Sequence, residues 1–182
     1  MSTAKAYSGS TSNTSSQTSA SSKSRLAQLL TLRNIALMFE VVALFITGYL
    51  TYTKLAAQPM QCIQGGMFNC SVLENSAWAQ VVVSPSLAIP VAFLGFLCHL
   101  FMTVIILFER RIGFLREWGL VILLGTTIFG FLYHSYLTFY VAIYTMRALC
   151  PWCLMAHTLM GGLLLIAFLR LRASWKQAES AA

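Results

Sequence analysis

Charge is what this chain has least of. Five of its 182 residues are acidic, and charged side chains of both signs make up 9% of it, against roughly a quarter in soluble domains. That shortfall excludes an ordinary soluble domain. Charge-poor apolar runs also leave few groups to hold a polar cargo at mid-membrane, which argues against an ion or solute transporter. The leader lacks an apolar core: residues 1–24 are mostly Ser, Thr and Ala. They predict a disordered tail rather than a cleaved secretory signal.

Apolar residues dominate instead, at 58%. Four runs, 34–54, 87–108, 118–140 and 150–169, each approach the ~20 residues that a helix needs to cross a bilayer. Backbone in lipid must satisfy its own hydrogen bonds, so helices are the expected spanning form. The expected fold is an all-α integral membrane protein, a four-transmembrane-helix bundle over residues 25–172. The tail 1–24 precedes it and a second tail, 173–182, follows it.

The net charge of +7 is sorted by segment. Lys5, Lys23, Arg25 and Arg33 precede the first run; Arg110, Arg111 and Arg116 separate the second and third; Arg170, Arg172 and Lys176 follow the fourth. On the other side stand Lys54 and Arg147. By the positive-inside rule both termini are cytoplasmic, and the first helix acts as an uncleaved signal anchor. This sorting points to a lipid bilayer and away from nucleic acid.

Four of the five cysteines form two pairs at the opposite, extracytoplasmic side. Cys62 and Cys70 sit in the polar stretch 58–75, and Cys150-Pro151-Trp152-Cys153 opens the last run. Pro suits the first turn of a helix. Cysteines three apart share one helix face. A helix N-terminus, or a cation such as Arg147, stabilises a thiolate. Two dithiols at one face predict a relay of thiol–disulfide exchange, in a compartment that permits disulfides. Two other readings stay open. Four thiolates suit a structural zinc, although the eight-residue separation of the first pair departs from short finger spacing. Two static disulfides in a non-catalytic membrane scaffold are the other. Cys98, deep in an apolar run, reads as packing.

Gly65-Gly66 gives the first outer loop a turn between its cysteines. Ser71-Val72-Leu73-Glu74 has the form of a capping box, which predicts a short interfacial helix with Trp78 as its anchor. Glu40 predicts a helix–helix hydrogen bond or snorkelling, and His99 and His134 predict packing. His157 stands four residues after Cys153, on the same face, where it is a candidate hydrogen-bond or proton donor to a reduced quinone. Tyr136, Phe139, Tyr140 and Tyr144 read as an aromatic belt or as quinone-pocket walls.

The two cysteine pairs, Gly65-Gly66, Ser76 and the Cys-Pro-Trp-Cys opening of the last helix resemble the vitamin K epoxide reductase family in its bacterial form. In the distinct disulfide-forming quinone reductases of the DsbB type the order of the pairs is reversed. The resemblance covers roughly 33–169. It implies a four-helix bundle around a quinone pocket, with Cys62 and Cys70 as shuttle pair and Cys150 and Cys153 as active-site pair. Cys153 would lie beside the quinone (ubiquinone or menaquinone), and Ser76 near it. It also implies electrons from a thioredoxin-like (DsbA-like) protein and residence in a bacterial inner membrane. The chain ends about a dozen residues after the fourth run, so the partner is expected to be separate rather than fused. Two departures weigh against vitamin K epoxide as substrate and for a plain quinone. His157 stands where vertebrate members carry a tyrosine, and the vertebrate quinone-binding asparagine has no match around Pro90.

Overall fold

The computed structural model describes residues 14–62, 65–84 and 87–179. Four helices among them are long and apolar enough to cross a membrane, over Leu30–Leu55, Val91–Phe108, Gly113–Met146 and Pro151–Lys176. They belong to helices α1 (Thr14–Leu55), α3 (Val91–Phe108), α4 (Gly113–Ser135) with a π-helical extension (Tyr136–Met146), and α5 (Pro151–Glu179). Large apolar side chains such as Phe45 and Phe129, about 75% and 69% exposed, stand outward on the bundle. A protein in water does not expose so much apolar surface; lipid takes it up.

α1 is helical from Thr14, within the stretch 1–24 expected to be a disordered tail; residues 1–13 lie outside the described residues. A helix nucleated in the span extends at little cost, because each added residue gains one backbone bond.

The other departures cluster at the end of the bundle that carries the cysteines. Residues 87–90 were expected to open the second span. They form instead strand β2 (Leu87–Pro90), antiparallel to β1 (Gln80–Ser84), with Val81 opposite Ile89 and Val82 opposite Ala88. β-branched Val81, Val82 and Val83 favour a pleated surface. Pro90 forces Ile89 to stay extended, so the helix waits until Val91. The third span runs six residues further than expected, as the π-helix to Met146. Arg147 then takes a left-handed conformation (φ 50°) and ends it, and the Ala148 N–H donates to Ala142 O at 3.0 Å. Only Arg147, Ala148 and Leu149 remain between the third span and Cys150.

The apolar core fills the opposite end. Ala36 of α1, Met102 and Ile106 of α3, Leu123 of α4, and Met160, Leu163 and Ala167 of α5 pack there. Glycines bring the helices close: a Cβ on Gly162 would stand 2.5 Å from the Phe39 ring. Small residues at such crossings let membrane helices approach. A charged cluster closes this end. Arg170 Nη2 donates to both carboxylate oxygens of Glu109 at 2.7 Å, and Arg33 Nε lies 3.3 Å from the same carboxylate. Three helices are thereby tied at one point.

Glu40 makes the interhelical bond that was one of its two expected roles. Its Oε2 meets His99 Nδ1 at 2.9 Å, with both side chains fully buried between α1 and α3.

Candidate active site

Two backbone bridges build the site. The loop turns at Gly65 and Gly66, whose φ values of 152° and 61° suit glycine. Gly65 and Phe68 then pair antiparallel, and Phe68 pairs in parallel with Leu149. Leu149 N–H donates to Met67 O at 2.7 Å, and Asn69 N–H donates to Leu149 O at 3.1 Å. Cys70 follows Asn69 and Cys150 follows Leu149, the two residues that this last bond joins, and Cys70 Sγ stands 3.5 Å from Cys150 Sγ. Both residues are 3% exposed.

Cys62 and Cys70 are joined as a disulfide, while Cys98, Cys150 and Cys153 are thiols. The segment beside Cys62 is held from the other motif. Trp152, between the two cysteines of Cys-Pro-Trp-Cys, donates its indole N–H to Gln61 O at 2.8 Å. Gln61 N–H in turn donates to the Tyr49 hydroxyl at 3.2 Å, and the Tyr49 and Trp152 rings meet at 5.3 Å.

Asn69 has a second task. Its Oδ1 accepts the Val72 N–H at 3.3 Å and caps the short helix α2 (Cys70–Glu74). This corrects the expected capping box. Ser71 lies inside the first turn and donates to Asn69 Oδ1 at 2.8 Å; Asn69, already extended by its pairing with Leu149, is the cap. The other end of α2 is held by Lys54, whose Nζ donates to Glu74 O at 2.7 Å. Trp78 does not continue this helix. It sits in a separate 3-10 turn, Ala77–Ala79, and packs edge-on against Tyr136 at 6.1 Å.

The Cys150 thiol is lowered to about 7. The largest cause is the hydrogen bond from the Cys153 thiol; the N–H groups of Cys153 and Trp152 at the start of α5 add to it, against burial and the Glu74 charge. The helix N-terminus thus acts as expected. Arg147 is not among the causes.

A cavity of about 440 Å³ lies under this assembly, within the range of small-molecule sites. Cys70, Cys150 and Cys153 reach it, as do Ser76, Trp78, Cys98, Tyr133, His134 and Thr138. Cys153 is exposed, and the surface it exposes is the wall of this enclosure. Ser76 is buried, its hydroxyl donating to Leu73 O at 2.7 Å. Cys98, expected only to pack, is part of the wall. His157 is absent from the lining: it is stacked on Phe131 at 4.9 Å and meets Phe139 edge-on at 5.7 Å. His134 stands on the wall instead. The sequence carried one signal for it, an ionisable group inside a span.

The walls are mainly aliphatic and aromatic, with the thiols of Cys98, Cys150 and Cys153 among them, and suit an apolar molecule. Phe129 and Leu94 belong both to the wall and to the exposed flank of the bundle, which suits a substrate that arrives from lipid. Among the described residues no cluster of three or more His, Cys, Asp or Glu is arranged for a metal.

A model of the vitamin K epoxide reductase family matches residues 34–168. The matched segment holds all four spans' apolar cores, both cysteine pairs and every polar group named on the cavity wall. The chain belongs to the vitamin K epoxide reductase family, a family of membrane oxidoreductases that act on thiols and quinones.

Proposed function

We propose that this protein is a quinone-dependent thiol oxidoreductase that forms disulfides in a separate thioredoxin-like (DsbA-like) protein. Electrons enter at Cys62/Cys70, cross to Cys150/Cys153, and leave to a membrane quinone, ubiquinone or menaquinone. The observation that carries the reading is the 3.5 Å approach of Cys70 and Cys150: two redox pairs in contact, one oxidised and one reduced.

The sorting of basic residues puts the cysteines on the extracytoplasmic face, in a bacterial inner membrane with both termini cytoplasmic. A partner thiolate attacks Cys62, which lies off the cavity wall, and Cys70 leaves as a thiolate. A second partner thiol then releases Cys62, so the partner holds the new disulfide and the shuttle pair is a dithiol. Cys70 attacks Cys150 of an oxidised Cys150/Cys153 pair, and Cys153 leaves. Cys62 resolves the Cys70/Cys150 bond. The outcome is a Cys62–Cys70 disulfide beside two thiols, the state described above. A quinone, when bound, supplies the two-electron acceptor. Cys153 faces it, Cys150 closes on Cys153 to return the pair to its disulfide, and the aliphatic walls exclude water. Ser76 holds the α2 segment against the cavity through its bond to Leu73 O.

The test uses purified protein in detergent, with reduced DsbA-like protein or dithiothreitol as donor and quinone absorbance as readout. Cys62→Ala is expected to stop turnover driven by the protein donor while sparing turnover driven by dithiothreitol. Cys153→Ala is expected to stop both. Quinone reduction that persists in Cys153→Ala would overturn the assignment.

A further inference from the structure

The chain has three histidines, one each on α3, α4 and α5. Phe131 stacks on His157, and Gly130 faces Met160, which fixes the register of α4 against α5. His134 therefore stands level with residues 154–156 of α5, one to three residues beyond Cys153, and both line the same cavity. His99 and His157 are both within electrostatic reach of His134. His99 is bound to buried Glu40, and Cys98, its neighbour in sequence, shares the wall with His134. Glu40 Oε1 and His99 Nε2 have no hydrogen-bonding partner among the described residues.

We propose that His134, on the wall of the cavity that Cys153 also lines, is the catalytic proton carrier of the quinone reaction. This rests on the quinone reading above. Oxidising the Cys150/Cys153 dithiol breaks two S–H bonds, makes one S–S bond and releases two electrons and two protons. The quinone accepts all four and gains two O–H bonds. His134 gives its ring proton to the quinone oxygen away from Cys153 and recovers one from the thiol pair.

The other polar groups on the wall suit this role less well. The hydroxyls of Thr47 and Ser76 already donate to Ala43 O and Leu73 O. Lys54 is engaged with Glu74 O. A tyrosine such as Tyr133 ordinarily titrates near 10, too weak an acid to exchange protons at neutral pH. An imidazole has two ring nitrogens, so it takes a proton at one while giving one from the other and relays it with no net change of charge. Cys98 and Tyr133 share the wall with His134, and His99 of α3 and His157 of α5 are its charged neighbours.

The experiment compares wild type, His134→Gln and His134→Ala as full-length protein in detergent, with dithiothreitol as donor and menadione or short-chain ubiquinone as acceptor. His134→Gln is expected to slow quinone reduction about 100-fold, the usual worth of a general acid. Cys70/Cys150 exchange, read by peptide mass, is expected to stay at the wild-type rate. Added imidazole is expected to restore His134→Ala. Wild-type quinone reduction in His134→Gln, or a His134→Ala defect that imidazole does not relieve, would overturn the proposal and leave the thiol–quinone reading standing. A folded wild type that reduces neither quinone would sink both.

Discussion

The sulfurs of Cys70 and Cys150 stand 3.5 Å apart although 80 residues separate them in the chain. The chemistry expected of the pair follows from that distance. Removing the two outer sulfurs leaves the inner two facing each other. Cys62→Ser with Cys153→Ser is expected to give a near-complete Cys70/Cys150 disulfide on mild oxidation. Peptide mass spectrometry without reductant checks it, and two free thiols would contradict the geometry.

The lowered Cys150 thiol sets a pH dependence. A group whose pKa is depressed on folding is charged above that pKa and loses its charge as pH falls through it. Cys150 at about 7 therefore attacks as thiolate from neutral pH upward. The reverse exchange, in which the Cys150 thiolate attacks Cys70 of the Cys62–Cys70 disulfide, is expected to rise with pH and reach half its limit near 7. A midpoint near the ordinary cysteine value of about 8.5 would mean that the α5 terminus and the Cys153 thiol do not act on it. Cys153→Ser keeps a donor and is expected to shift the midpoint less than Cys153→Ala.

Trp152 tests the hold on the shuttle loop. Trp152→Phe keeps a ring against Tyr49 but removes the N–H that Gln61 O accepts. A single hydrogen bond of this kind contributes about 1 kcal/mol. Hydrogen exchange around Gln61 is expected to quicken severalfold while the helices stay protected. Unchanged exchange there would assign the hold to ring packing alone.

At the far end, Glu109→Gln removes the charge that Arg170 and Arg33 share. Arg170 is 5% exposed, and stripping the partner from a buried charge typically costs about 3–5 kcal/mol. Thermal unfolding in detergent is expected to fall clearly. Replacing Arg170 with Met as well is expected to recover part of the loss, since the stranded charge is then gone.

The four spans and the cysteine pairs were legible because each depends on residue type and local spacing: length of apolar run, sorting of Lys and Arg, two residues between Cys150 and Cys153. What escaped depends on pairing. The Phe68/Leu149 bridge is made of backbone groups that every residue carries, so no side chain announces it. Glu40 and His99 are each visible as a polar residue in a span, but 59 residues separate them, and only the crossing of α1 and α3 shows that they meet. Asn69 outcompeted Ser71 as cap because Leu149 had already drawn it into an extended conformation. The π-helical turns to Met146 look like any aromatic, apolar helix in sequence. His157 shares a helix face with Cys153, but Phe131 of α4 and Phe139 of its π-helical extension take that face up, and His134 is the histidine on the cavity wall.

The backbone clamp at Leu149 also governs how this loop can drift. The reference point for Cys70 is Met67 to Asn69, not the stretch that leads into it. Residues added between Cys62 and Gly65 would lengthen a part of the chain that the clamp does not measure, and the inner sulfurs would stay in contact. One residue inserted between Asn69 and Cys70 would rotate the sulfur away from its partner. Length variation on one side of Gly65 is thus tolerable, and on the other side it is lethal to electron transfer.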